Sequence, residues 1–298
     1  MKYSKPALSI TEQVELLESR GLTVTDKEKA QNYLSNISYY RFSAYLLPFQ
    51  QRNSDEHNFN NGVTFEKVLD LYLFDRELRL LVFDIIERLE IAFRTQIIYQ
   101  YSHENGAWWY EDPAHFTNNY HYSRNLARID EEIERSSEVF IGHYKNKYTS
   151  PQRPPAWMTF EVISMGLLSK IFRNLENSTA KKEIAKHFKL PNPYILESWM
   201  HSMTYVRNLC AHHSRLWNRT LTLKPQLLRK PKNPWLTSNN INPNKLFAFL
   251  SCSLYLLKVI NPNTRTGTHF RELLEKYPKI NLKAMGFPTN WKQEELWK

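Results

Sequence analysis

The sequence predicts an all-α protein. Apolar residues recur at helical spacing in the segments whose structure the sequence indicates most clearly, and the longest of these covers residues 65–103. The chain has only seven glycines in 298 residues, which favours helices over a turn-rich sheet protein. Its hydrophobic fraction of 42% is enough to form a sizeable core. Together these observations indicate a helical bundle.

Two helices are predicted near the N-terminus. The first starts at a cap formed by Ser9 or Thr11 and stops at Gly21. The second starts near Asp26 and continues into residues 39–42. This pair is typical of a helical cap on the main bundle, and it also resembles a helix-turn-helix. A DNA-binding regulator that uses these helices is therefore an alternative function.

The long helix at residues 65–103 follows a polar loop at residues 50–62. Its charged residues Glu87, Glu90 and Arg94 are spaced three and four apart, so they line one face. This spacing is typical of an ion-pair ladder worth about 0.2–0.5 kcal/mol per pair.

The remaining helices lead to a division into three parts. Further helices are predicted at residues 130–138, 157–175, 179–187, 199–219, 244–260 and 268–277. The apolar stretch 246–260 is about 15 residues long, which is short for a membrane span and indicates a core helix. We divide the chain into an N-terminal helical unit (1–62), a helical core (63–225) and a C-terminal helical extension packed on that core (226–298).

The segment 199–219 carries the strongest functional signal. It has three histidines, three arginines and two tryptophans, and no acidic residue. If it is one helix, Asn208 and His212 share a face because they are four residues apart, and Arg215 extends that face. Arg207 lies about 140° around the helix from His212.

These residue types suit cleavage of an RNA phosphodiester. A histidine can take or give a proton near neutral pH. A guanidinium holds phosphate oxygens and stabilises the charge that develops on them. The RNA 2′-hydroxyl is an internal nucleophile, so this reaction needs neither a metal nor a cofactor. Exposed Arg and His are also common on helix surfaces, and the hexapeptide 207–212 by itself does not decide between the two interpretations.

A basic block surrounds this segment. Residues 198–271 have eleven Lys and Arg and no Asp or Glu, whereas the whole chain has a net charge of +10. Trp199, Trp217 and Trp235 are interleaved with these charges, which is typical of a protein that binds nucleic acid. A basic surface also suits solubility or an anionic membrane. The RNA-binding candidates are Arg219, Lys224, Arg229, Lys230 and Lys232.

Other chemistries are less well supported. His212 and His213 point about 100° apart on a regular helix, so they do not face one metal ion. The sequence has no glycine-rich phosphate loop. Cys210 falls on the core side of its helix. Two cysteines form no disulfide framework, and the N-terminus lacks an apolar signal core, so we expect a cytoplasmic protein without a membrane partner.

Four stretches together resemble abortive-infection proteins of the Abi-D/Abi-F type, within the HEPN superfamily of α-helical ribonucleases. Arg207, Asn208 and His212 match the HEPN signature. In this signature a polar residue follows Arg, and four to six residues separate Arg from His. The other three stretches are KPALSITEQVELLESRGL, IERLEIAFRTQIIYQYS at Ile86–Ser102 and WMTFEVISMGLLSKIF at Trp157–Phe172. With the Arg207–His212 motif, these stretches run from about residue 5 to residue 220.

The resemblance implies a HEPN-type bundle with extra N- and C-terminal helices, acting as a metal-independent endoribonuclease toxin in phage defence. It implies catalysis by Arg207, Asn208 and His212, in a site shared by two copies of the helix in a homodimer. Glu90, Arg94, His213 and Arg215 would support that site. Many HEPN domains bind RNA without cleaving it. The alternative is therefore a non-catalytic protein held in complex with a small structured RNA.

Overall fold

The computed structural model describes residues 2, 6–51, 56–229 and 231–298, and within them it forms twelve α-helices and no β-strand. The prediction of an all-α fold is confirmed. The helices are α1 (Ile10–Ser19), α2 (Lys27–Ile37), α3 (Tyr39–Leu46), α4 (Phe65–Asn105), α5 (Asn119–Arg135), α6 (Val139–Lys147), α7 (Ala156–Val162), α8 (Met165–Asn174), α9 (Thr179–His187), α10 (Pro193–Ala211), α11 (Leu246–Ile260) and α12 (Thr266–Lys276).

The first helix starts and stops at the predicted signals, and the second starts at its predicted signal. Ser9 caps α1 in a capping box with Glu12, and Gly21 follows the helix with a φ of +89°. Asp26 caps α2. The prediction that this second helix continues through residues 39–42 is wrong. Ser38 has a φ of +67°, which ends α2, and its side chain then caps α3.

The chain forms two compact units. The first comprises Met1–Leu78 and Leu273–Ile280, and the second comprises Arg79–Glu272 and Asn281–Lys298. The division into three parts at residues 62 and 225 stays a prediction, as does the HEPN type of the bundle. All residues of the candidate site lie in the second unit.

In the first unit, a buried hydrogen bond and ring contacts join α3 to α4. The Tyr45 hydroxyl donates to the Asp75 carboxylate over 2.7 Å, and both residues are buried. The Phe42 and Phe65 ring centroids are 5.0 Å apart. A buried carboxylate is costly in an apolar core, and this hydrogen bond lowers that cost.

The core of the second unit surrounds α11. Residues 246–257 of this helix are all buried, which explains why its sequence is apolar on every side. The predicted apolar helix at residues 246–260 is thereby confirmed. The Tyr255 ring packs edge-on against Trp199 at 5.9 Å. No helix in the described part of the chain is long and apolar enough to cross a membrane.

The predicted helix at residues 157–175 is two helices, α7 and α8. Ile163 is extended, with a ψ of 148°, and Ser164 then caps α8 through its side chain. The Ser164 amide and hydroxyl both donate to the Glu132 carboxylate of α5. This interaction fixes the start of α8 against α5. α8 then packs against α10, which carries the candidate site.

Candidate functional site

The candidate site lies at the C-terminal end of α10, which is shorter than the sequence predicts. The helix ends at Ala211, and His213 has a φ of +55°. The His213 amide donates to the Cys210 carbonyl over 3.0 Å, and the Ser214 amide donates to the Leu209 carbonyl over 2.8 Å. These two bonds are those of a Schellman motif, which turns the chain away from the helix axis. Histidine tolerates the left-handed backbone better than most residues.

This helix end changes the expected position of Arg215. The prediction that one helix covers residues 199–219 is wrong, and so is the prediction that Arg215 extends its Asn208–His212 face. Arg215 follows the reversal at His213 and is half-buried. Its carbonyl accepts a hydrogen bond from the Arg219 Nε over 2.7 Å. Arg215 is thus part of the segment that follows the chain reversal at the end of α10.

Asn208 and His212 keep their common face. His212 is the cap residue and has a nearly helical backbone (φ −88°, ψ 12°), and its amide donates to the Asn208 carbonyl over 3.0 Å. Both side chains are exposed. Val206 and Cys210 point into the core. The last turn of α10 therefore exposes the Asn208 amide and the His212 imidazole to solvent, while its other side is packed in the core.

Arg207 occupies a different side of α10. Its guanidinium carbon lies 5.8 Å from the centroid of the Phe83 ring of α4. This distance is within the range of a cation–π contact, and the residue is exposed. A separation of five positions puts it about 140° around the helix from His212. Asn208 and His212 are therefore brought together by a single chain, whereas Arg207 is directed elsewhere.

The predicted supporting residues Glu90 and Arg94 form an interior contact of the second unit. Arg94 is 7% exposed and pairs with Glu90 one turn earlier on α4. Its guanidinium also donates to the carbonyl of Phe160 in α7. These contacts tie α4 to α7. A supporting role of the two residues in the site stays a prediction.

Arg219, a predicted RNA contact, interacts with Tyr205 of α10. Burial alone would raise the pKa of the Tyr205 hydroxyl, but hydrogen bonds from Thr222 and Arg219 and the charge of Arg219 lower it below its usual value. Tyr205 lies one turn before Asn208 on the helix, on the same side. The Arg219 charge therefore lies near Tyr205, one turn before the exposed Asn208–His212 face.

The tryptophans of the basic block belong to the core. Trp199, Trp217 and Trp235 are 0%, 5% and 8% exposed. Trp199 stacks on Trp235 with centroids 6.1 Å apart, and its indole donates to the Gln226 carbonyl over 2.7 Å. The interpretation that these rings and the basic charges form one nucleic-acid surface is wrong, because buried rings are not accessible for base stacking.

The remaining predicted RNA contacts lie in the loop that follows. Lys224, Arg229 and Lys232 are exposed. Lys224 and Arg229 line a cavity of about 740 Å³ together with Trp235. Lys230 lies outside the described residues. Lys224, Arg229 and Lys232 lie in one loop, and an RNA-binding role of these residues stays a prediction.

A second cationic region was missed by the sequence analysis. Arg124 of α5 and Lys170 and Arg173 of α8 line one groove of the second unit. The two helices are about 50 residues apart in sequence, and neither carries a run of basic residues. The only sequence signal was the helical spacing of Lys170 and Arg173, which is common on helix surfaces.

The described residues contain no group of three or more His, Cys, Asp or Glu placed to hold a metal ion. Cys210 and Cys252 are both buried. Burial raises the pKa of the Cys252 thiol well above its usual range. A buried, protonated thiol is a poor nucleophile, so Cys252 contributes no reactive thiolate.

Comparison with known proteins assigns the chain to a family. The family model for Abi-like proteins matches residues 32–218, which is more than half of the chain and includes the whole of α10. Searches of curated proteins and of solved structures found no match. The family indicates abortive-infection phage defence. On the extent of this match, the chain belongs to the Abi-like protein family.

Proposed function

We propose that this Abi-like protein is a metal-independent endoribonuclease of the HEPN kind that stops growth of the infected cell. One observation carries the proposal. The C-terminal turn of α10 presents Asn208 and His212 to solvent on one face, and Arg207 is exposed on another side of the same turn. An amide, an imidazole and a guanidinium are the groups that cleavage through the RNA 2′-hydroxyl needs.

The proposed reaction is an internal transesterification. His212 takes the proton of the 2′-hydroxyl, and the 2′-oxygen attacks the adjacent phosphorus. The bond to the 5′-oxygen breaks, and this oxygen receives a proton from an acid. The products are a 2′,3′-cyclic phosphate and a 5′-hydroxyl. Arg207 stabilises the extra negative charge of the pentacoordinate phosphorus, and Asn208 orients the imidazole or the phosphate. His212 serves as the acid instead where another group is the base.

A second copy of α10 completes this site. On one chain, Arg207 contacts Phe83 and lies around the helix from His212. A homodimer with a two-fold axis near the end of α10 would bring Arg207 of one copy to His212 of the other. The loop cations Lys224, Arg229, Lys230 and Lys232 would then bind flanking phosphates of the substrate. We place the protein in the bacterial cytoplasm, where its RNA substrates are.

The separation of Arg207 and His212 also favours a second candidate. If no partner copy brings them together, the exposed cations hold RNA without cleaving it. The protein would then be a non-catalytic RNA-binding HEPN protein in complex with a small structured RNA. Its effect on the cell would depend on release of that RNA.

Cleavage of bulk cellular RNA in EDTA tests the proposal. We expect His212→Ala to lower the rate about 10²–10⁴-fold, since that is the usual contribution of a general acid or base. We expect Arg207→Ala to lower it about 10²–10³-fold, as for the loss of one transition-state donor. His143→Ala removes an exposed histidine of α6 and serves as the matched control.

Three results would count against the proposal. Equal cleavage by all variants would show a contaminant or a different site. If the wild type cleaves RNA without EDTA but not in its presence, the reaction depends on a metal. An inactive wild type that still binds RNA after all nucleic acid has been stripped from it would favour the non-catalytic candidate.

A further inference from the structure

A polar groove runs between α5 and α8 in the second unit. Its volume is about 890 Å³. Asn174, at the end of α8, joins the two helices because its side chain accepts from the Thr117 hydroxyl and the Asn118 amide. The start of α5 therefore lies beside the end of α8. This end of the groove carries Arg124, Lys170 and Arg173.

The cations at this end are not neutralised. Lys170 and Arg173 are exposed, and within the described part of the chain neither has an ion-pair or hydrogen-bond partner. The Arg124 guanidinium has no carboxylate partner among the same residues and donates to the Tyr120 hydroxyl over 3.3 Å. This end of the groove is thus an unpaired positive region.

The carboxylates that line the groove are already engaged. Glu131 pairs with Arg128 over 2.8 Å, one turn along α5. Glu132 accepts from Ser164 at the start of α8. Neither carboxylate forms an ion pair with Lys170 or Arg173. An anion is the ligand that would satisfy this region.

The effect of these cations reaches α10. His201 has a pKa below its usual value of 6.5 because of burial first, and then because of the charges of Arg173 and Lys170. His201 would be easier to protonate if an anion occupied the groove. The pKa of His201 therefore responds to the charge at this end of the groove.

An exposed aromatic ring lies beside Arg124. Tyr120 is 66% exposed, and the Arg124 guanidinium carbon lies 5.5 Å from its ring centroid. The His121 ring is 5.7 Å away. Flat exposed rings beside a basic groove are the combination by which proteins hold single-stranded nucleic acid, with bases on the rings and phosphates on the cations.

We propose that the groove between α5 and α8 binds single-stranded RNA, with phosphates on Lys170, Arg173 and Arg124 and a base stacked on Tyr120. This site is separate from the loop cations at residues 224–232. A duplex shows no base face to Tyr120. An acidic peptide would use the cations but would gain nothing from the ring.

The groove is linked to the end of α10 by helix geometry. His201, Asn208 and His212 lie within about 40° of one another around α10. His201 is about 16 Å along the axis from His212, at 1.5 Å per residue. RNA in the groove would therefore approach the face that carries Asn208 and His212. This link rests on the proposed function, whereas binding in the groove does not.

The test measures binding of a labelled single-stranded oligouridine by fluorescence anisotropy over a range of salt concentrations. All variants carry His212→Ala, so that cleavage cannot affect the result. We expect the Lys170→Gln/Arg173→Gln variant to bind more weakly. Its slope of log affinity against log salt should be smaller by about 1.4, at about 0.7 for each lost phosphate contact on a single strand.

The Tyr120→Ala variant separates base stacking from charge. It should bind about five-fold more weakly or worse, because it loses one stacked base. It should keep the wild-type salt slope, since no charge is removed. A Lys182→Gln/Lys283→Gln variant removes two exposed cations of the same unit outside the groove. It should bind as well as the parent protein.

Several outcomes would overturn the proposal. The groove is not the site if the control variant loses as much affinity and slope as Lys170→Gln/Arg173→Gln. A polyglutamate peptide that competes as well as RNA would identify the groove as a site for acidic protein. Equal affinity for a duplex of the same phosphate number would refute the single-strand assignment. Cleavage by the His212→Ala protein is a separate question. It tests the proposed function alone, because the groove is tested by binding.

Discussion

Replacing Arg94 with methionine separates a structural role of this residue from a catalytic one. In the structure the side chains of Arg94 and Glu90 are 9% and 20% exposed, and Arg94 also donates to the Phe160 carbonyl. Methionine keeps the length of the side chain and much of its packing. It removes the charge and both contacts.

The size of the effect follows from burial. Removing one partner of a buried ion pair costs about 3–5 kcal/mol, because the remaining charge is left without compensation. Since Glu90 retains some access to water, we expect about 3 kcal/mol. For a unit of this size, 1 kcal/mol shifts the Tm by about 2–4 °C, so the Tm should fall by about 6–12 °C.

The matched control is Arg128→Met. Arg128 pairs with Glu131 at 2.8 Å, but these side chains are 57% and 55% exposed. An exposed helical pair contributes about 0.3–0.5 kcal/mol, so the Tm of this variant should fall by about 2 °C or less. Both variants are followed by thermal unfolding and by RNA cleavage at a temperature where they stay folded.

The result that would refute the structural role is specific. If Arg94→Met unfolds at the same temperature as Arg128→Met, the pair with Glu90 does not stabilise the fold. If it also loses cleavage while folded, Arg94 is at the site, as the family resemblance implied. A large fall in Tm with cleavage retained would show that the pair joins α4 to α7 and does no chemistry.

Three further predictions concern pH, the core and the loop. Because the folded-state pKa of His201 lies below 6.5, the unfolded chain binds more protons below that pH. Stability should therefore fall between pH 7.5 and 5.5, and His201→Gln should reduce this fall in thermal unfolding. Trp199→Ala should lower the free energy of unfolding by about 3–5 kcal/mol without changing RNA affinity of the folded protein, which calorimetry and anisotropy would measure. Glu294 is fully buried and accepts four hydrogen bonds from residues 237 and 238. Its pKa is lowered because these bonds outweigh burial, so its stabilisation is present at neutral pH and lost in acid as pH falls through that lowered pKa. Glu294→Ala should speed proteolysis of the loop before α11 at pH 7 more than at pH 4.

Helix positions could be predicted wherever the signal was local. The α11 helix has the bounds of the apolar stretch, and Ser9 and Asp26 cap the first two helices as their side chains suggested. These predictions succeed because a capping bond and an apolar helix each depend on only a few neighbouring residues.

Helix breaks were not predicted because they depend on single backbone angles. Apolar spacing continues through Ile163, so the sequence gives no sign that this residue is extended and that Ser164 starts a new helix. The same is true of His213. Its positive φ ends α10, although glycine is the residue that usually marks such a stop. In the sequence, a histidine at this position does not indicate the end of a helix.

The accessibility of the tryptophans depends on tertiary packing. In the sequence, Trp199 and Trp235 alternate with basic residues as they would on an RNA surface. In the structure they stack on each other against Tyr255, whereas Lys224, Arg229 and Lys232 are exposed. The groove shows the reverse case. Its cations are unremarkable in sequence and come together only when α5 and α8 lie side by side.

The geometry of α10 makes a specific prediction about the dimer. If Arg207 of one copy serves His212 of the other, an Arg207→Ala chain and a His212→Ala chain are each inactive alone. A mixed dimer of the two has one composite site with both residues intact. Random exchange gives half of the dimers this composition, so the mixture should recover roughly a quarter of the wild-type activity.

No recovery is expected if each site belongs to a single chain, since every chain then lacks one of the two residues. The control is a mixture of Arg207→Ala with a chain that carries both substitutions, in which no composite site is complete. The preparations must exchange subunits, which labelled chains and energy transfer would show. Exchange without recovery would refute the composite site. It would leave only a site within one chain, which Arg207 could reach only by leaving its contact with Phe83.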